Sequence, residues 1–72
     1  MNLFKAKRIE MELTIKDVVQ DIKYPTSTIE SLEKGEMDFL PQPYLYYFVK
    51  QYGIYLKIKN LNDILEKYKN KF

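Results

Sequence analysis

The sequence has no cysteine, no histidine and no tryptophan. Without cysteine there is no disulfide framework and no thiol nucleophile, which suits a reducing compartment. Without histidine the commonest general base and metal ligand at neutral pH is missing. There is no glycine-rich phosphate loop and no metal-ligand spacing. Asp17 and Asp21, four apart, form a carboxylate pair that reads as solvated charge plus a capping contact. No enzymatic activity, cofactor or small-molecule ligand is therefore expected. No apolar run approaches the ~20 residues of a membrane span, and the N-terminus lacks a signal-peptide pattern.

What is present is a chain of 72 residues, read as one domain over 1–72, near the size where only about 60% of the extended surface is buried. Its net charge of +2 is unevenly spread. Residues 1–40 carry six basic and eight acidic side chains, whereas residues 41–72 carry six lysines against Asp63 and Glu66. The lysines near the end, Lys67, Lys69 and Lys71, read as a solvated helix end that would also suit an anionic lipid surface.

Five helices account for the chain. Asn2 caps a first helix to about Met11, with Leu3, Phe4 and Ile9 as its apolar members. Thr14 caps a second, with Asp17 three residues on as the other half of a capping box. That helix runs Ile15 to Ile22 and buries Ile15, Val18, Val19 and Ile22. Pro25 makes Lys23 to Thr26 a tight turn. Thr26 or Ser27 then caps a third helix, Thr28 to Lys34, anchored by Ile29 and Leu32 and ended by Gly35. Met37, Phe39 and Leu40 in the following loop are expected to tuck under a fourth helix.

Pro41 and Pro43 turn the chain into that helix, 44–56. Leu45, Phe48, Val49, Tyr52 and Leu56 share its core face, and Tyr44, Tyr47, Gln51 and Tyr55 form a second arc beside it. Gly53 is placed mid-helix on the side away from the core, where alanine should stabilise. Lys57 to Asn60 breaks the pattern. Asn60 or Asn62 caps a last helix, 61–70, with Leu61, Ile64, Leu65 and Tyr68 inward. The expected fold is all-α.

Two short helices joined by a tight turn over residues 15–34 read as a helix-turn-helix. T-I-K-D-V-V-Q-D-I followed by T-S-T-I-E-S-L-E-K-G resembles that motif in the phage-repressor, XRE-like superfamily. I-E-S-L-E-K-G-E-M-D-F-L-P followed by P-Y-L-Y-Y-F-V-K-Q-Y narrows the likeness. It is similar to the N-terminal cytoplasmic domain of the RodZ family of bacterial cell-shape proteins, from about Leu3 to Tyr68. Three departures stand out: a residue is missing between Pro43 and Tyr44, and Gly53 and Lys57 stand where that family usually has alanine and glycine.

The resemblance implies a five-helix, repressor-like domain that acts as a cytoskeletal adaptor. Its fourth helix would dock on the bacterial actin homologue MreB, with the family's aromatic contact pair falling on Tyr44 and Phe48. Location at the cytoplasmic face of the inner membrane is implied too, through a membrane segment absent from this chain. The surplus aromatic arc supports a partner independently, because one stripe suffices for the core of so small a domain. The expected partner-binding residues are Tyr44, Tyr47, Phe48, Gln51 and Tyr55.

The alternative is a DNA-binding transcriptional regulator, with the third helix in the major groove. Thr26, Ser27, Thr28, Ser31 and Lys34 would then face bases and phosphates. Glu30 on the same helix opposes this, since affinity for DNA depends on neutralising phosphates with Lys and Arg. The half that carries the motif is net acidic and has one arginine, Arg8.

Overall fold

The computed structural model describes residues 2–69 and contains α1 (Leu3–Glu10), α2 (Ile15–Ile22), α3 (Thr26–Glu33), α4 (Tyr44–Tyr55) and α5 (Leu61–Lys69). The fold is all-α, as expected. Asn70 and Lys71, placed at the end of the last helix from the sequence, lie outside the described residues.

Local chemistry sets each boundary. The Asn2 side chain accepts from the backbone N–H groups of Phe4 at 2.8 Å and Lys5 at 3.2 Å, satisfying two otherwise orphaned donors. Its amide also donates to the Leu32 carbonyl at 2.9 Å, tying the start of α1 to the end of α3. Thr14 and Asp17 form the reciprocal capping box. The bonds from the Thr14 backbone and side chain hold the Asp17 carboxyl below its usual range.

Three helices end in the same device. In each, one N–H reaches five residues back and the preceding one reaches three back, around a residue with positive φ. Gly35 fills that position after α3 with φ 86°, as expected from the sequence. Glu12 after α1 and Lys57 after α4 fill it without glycine, both at φ 58°. The α2–α3 turn also passes through a left-handed residue, Lys23, at φ 65°.

The third helix begins earlier than expected. Pro25 is its N-cap and no side chain caps it, so Thr26 and Ser27 lie in the first turn rather than before it. Proline suits this place because its fixed φ is compatible with helix entry and its missing N–H is not needed there. The helix stops at Glu33, with Lys34 as C-cap.

α4 is the centre of the molecule. Leu45, Phe48, Val49, Tyr52 and Leu56 are each at most 1% exposed. At roughly 2 kcal/mol per fully buried large apolar side chain, this face supplies much of the burial that holds the fold. Phe48 touches the Tyr24 ring at 4.7 Å and the Phe39 ring at 5.9 Å, so the loop before α4 does fold beneath it. Met37 and Leu40 pack there too. From α5, Leu65 and Tyr68 are buried, with Leu61 and Ile64 partly so.

The apolar members of α1 differ in burial, and the outward placement of Gly53 is corrected. Leu3 and Ile9 are 45% and 49% exposed, and the buried members of α1 are Phe4 and Arg8. Gly53 does not face solvent: it is buried, and a β-carbon there would lie 2.2 Å from Cδ1 of Leu61. α4 packs against α5 as well as α2, so its buried arc is wider than one stripe. The gain of about 1 kcal/mol in helix propensity from alanine is therefore opposed by displacement of Leu61.

Candidate functional site

The arc of α4 beside the core stripe carries three exposed large apolar side chains. Tyr44 is 65% exposed, Tyr47 56% and Ile54 60%. The Tyr47 ring packs edge-on against Tyr46 at 5.5 Å. Gln51 is exposed between these side chains and donates to the Ile22 carbonyl at 3.4 Å. Tyr55 is half-buried, with its hydroxyl donating to Asp21 on α2. Burial first, and then that hydrogen bond, pushes the Tyr55 hydroxyl up to about 12.

The structure thus brings Tyr44, Tyr47 and Gln51 together on an open surface, with Tyr55 at its α2 border. Phe48 does not join them. It is fully buried between Tyr24, Phe39 and Tyr52, so its place in a contact pair is corrected to a supporting one. Ile54 was not singled out from the sequence. Its signal was available, seven residues after Tyr47 and so on the same helical line.

Beneath α3 lies a polar network that sequence reasoning also missed. Arg8 donates from Nε to Glu33 Oε2 at 2.8 Å and from Nη2 to Glu33 Oε1 at 3.1 Å, a two-pronged pair. Nη1 donates to the Leu13 carbonyl at 2.8 Å. The Tyr52 hydroxyl donates to Glu33 Oε2 at 2.6 Å, and its ring stacks on Phe4 at 5.6 Å. The hydrogen bonds that Arg8 donates to Glu33 raise the Arg8 pKa despite burial, and burial chiefly raises that of Tyr52. The network joins α1, α3 and α4. A clue lay in composition: Arg8 is the one arginine among eleven lysines, and arginine is the cation suited to bidentate buried pairing.

The same network bears on nucleic-acid reading. Arg8 is committed to Glu33 and is 8% exposed, which removes the chain's arginine from any phosphate surface. Of the α3 residues expected to face DNA, Thr26, Ser27 and Lys34 are exposed and Ser31 is half-buried. Thr28 is 9% exposed and faces the core, so it is corrected out of that set. Glu30 is exposed among them. A cleft of about 150 Å³ between α1, α2 and α3 is lined by Lys5, Arg8, Ile15, Glu30, Glu33 and Lys34, a mixture of both signs.

Among the described residues no cluster of acidic side chains is placed to hold a metal ion, and no helix is long and apolar enough to cross a membrane. Comparison with known families matches residues 3–62 to a family described as helix-turn-helix domain, a family of the XRE-like and RodZ type. No curated protein matches, and no solved structure does.

Proposed function

The chain belongs to the helix-turn-helix domain family, and we propose that here the module serves protein docking rather than base reading. It is a cytoskeletal adaptor domain that docks on MreB-like actin filaments through the outward face of α4. In this reading it links them to the inner membrane in cell-shape control. The observation that carries the reading is the exposure of Tyr44 and Tyr47, at 65% and 56%, on the helix that also forms the core. Tyrosine gives large contact area at low entropy cost and is enriched at binding hot spots. A rigid, buried helix presents those rings already positioned. The likeness of P-Y-L-Y-Y-F-V-K-Q-Y to the RodZ family supports the identity of the partner.

The test is co-sedimentation with purified MreB filaments. Wild-type protein should pellet with filaments, and Tyr44→Ala should weaken binding by at least ~2 kcal/mol, as loss of a hot-spot residue does. Thermal stability should stay nearly unchanged, because Tyr44 is mostly solvated. Wild-type protein that stays in the supernatant would refute the reading, as would a Tyr44→Ala protein that pellets normally. Enrichment of a defined DNA motif from random duplexes, lost on Ser31→Ala, would replace it with the regulator.

A further inference from the structure

We infer that the outward face of α4 is a seam for one amphipathic helix of a partner protein, with acidic side chains along that helix's flank. This rests on reading α4 as a protein-docking face, and it specifies the chemistry of what docks. Tyr44, Tyr47, Gln51 and Ile54 are separated by three, four and three residues. That alternation keeps side chains on one line of a helix and is the spacing by which helices pair. The apolar three are each more than half exposed. At about 1.5 Å per residue the line is roughly 15 Å long, two to three turns of a docked helix.

The borders of the line differ. On one side stand Lys50 and, just past the helix end, Lys57, both exposed. α4 itself carries no acidic residue to neutralise them. On the other side Tyr55 is fastened to α2 through Asp21, and Gln51, within the line, reaches that way to the Ile22 carbonyl. A helix lying on Tyr44, Tyr47 and Ile54 therefore meets cations along one flank, and carboxylates there complete the contact.

A second copy fits less well. An antiparallel pairing of two α4 helices sets Lys50 beside Lys50 of the other molecule. Whatever occupies it, a strip of four side chains is small beside the about 800 Å² per partner of a stable complex. It suits a weak contact repeated along an assembly, where linked sites raise the effective concentration.

The test uses two synthetic helical peptides with the same leucine seam, one flanked by glutamates and the other by lysines. Each is titrated into isotope-labelled protein, and amide shifts are followed. The glutamate peptide should perturb residues from Tyr44 to Lys57 and bind at least ~10-fold tighter than the lysine peptide, the advantage shrinking as salt rises. Ile54→Asp should abolish binding. Lys50→Glu should erase or reverse the preference between peptides. Both positions are exposed, so circular dichroism should show both variants folded.

Equal binding of the two peptides, shifts outside α4, or indifference to Ile54→Asp would overturn the inference. A wild-type dimer in sedimentation equilibrium that Ile54→Asp dissociates would also overturn it, assigning the strip to a second copy. Filament pelleting separates this outcome from that of the parent reading. Filaments that bind while both peptides fail would refute the helix seam alone. Peptide binding without filament binding would refute the filament partner and leave the seam standing.

Discussion

Glu33→Ala is the perturbation whose effect the structure defines best. The Arg8–Glu33 pair is withdrawn from water, with side chains 10% and 6% exposed. Removing the carboxylate strips Arg8 of two charge-assisted hydrogen bonds and Tyr52 of the acceptor for its hydroxyl. Breaking a buried pair from one side typically costs about 3–5 kcal/mol, because the remaining charge stays desolvated. A domain of this length has roughly 4–11 kcal/mol of stability in all, at 0.05–0.15 kcal/mol per residue. The variant should thus be near its limit. With a urea slope of about 1 kcal/mol/M for so small a domain, its unfolding midpoint should fall by about 3–5 M. Two controls fix the cause. Tyr52→Phe removes one hydrogen bond and should cost only about 1–2 kcal/mol. The double variant Arg8→Met with Glu33→Leu deletes both charges and should recover much of the loss. A midpoint shift under ~0.5 M for Glu33→Ala, or a double variant as unstable as the sum of its parts, would refute the reasoning.

Other outcomes follow from particular residues. Lys57 holds φ 58° at a helix end, so Lys57→Gly should stabilise by up to about 1 kcal/mol in urea unfolding; a loss of stability would show that its side chain matters more than its backbone. Gly35 has φ 86° and open space around its missing β-carbon, so Gly35→Val should cost more than ~1 kcal/mol through backbone strain alone. On the alkaline side, unfolded tyrosines lose their protons near pH ~10, whereas Tyr52, Tyr55 and Tyr68 hold theirs to higher pH in the folded chain. The folded state then binds more protons than the unfolded one. The stability is present in full below about pH 10 and falls as pH rises beyond it. Urea midpoints at pH 9 and 11 should show the drop, and Tyr52→Phe should flatten it.

The helices were legible because periodic apolar spacing and capping residues are local signals. The Thr14–Asp17 box, the Gly35 stop and the core stripe from Leu45 to Leu56 could all be read directly. What escaped depended on contacts distant in sequence. Arg8 and Glu33 are twenty-five residues apart, and neither residue type suggests burial by itself. The burial of Gly53 is not legible from the one apolar stripe of α4, because α5 closes over a second side and brings Leu61 against it. Pro25 as a cap escaped because threonine and serine beside it are better capping residues by side chain.

The part of the site that could be read, and the part that could not, share a cause. A helix packed on two sides has a narrow remaining face, and whatever stands there is conspicuous. Tyr44 and Tyr47 were visible as a surplus over the core stripe, while Phe48, of the same chemical character, was drawn into the core by Tyr24 and Phe39. On α3 the reverse holds. Apart from Lys34 at its C-cap, its outward residues are small or acidic, and the one arginine lies beneath it, bound to Glu33. A DNA reader needs cations on that surface, because phosphate neutralisation supplies much of its affinity. This chain puts its arginine into the joint between α1, α3 and α4, and its exposed aromatic area on the face of α4. The charge and the apolar surface thus both support the proposal of docking through α4 over base reading through α3.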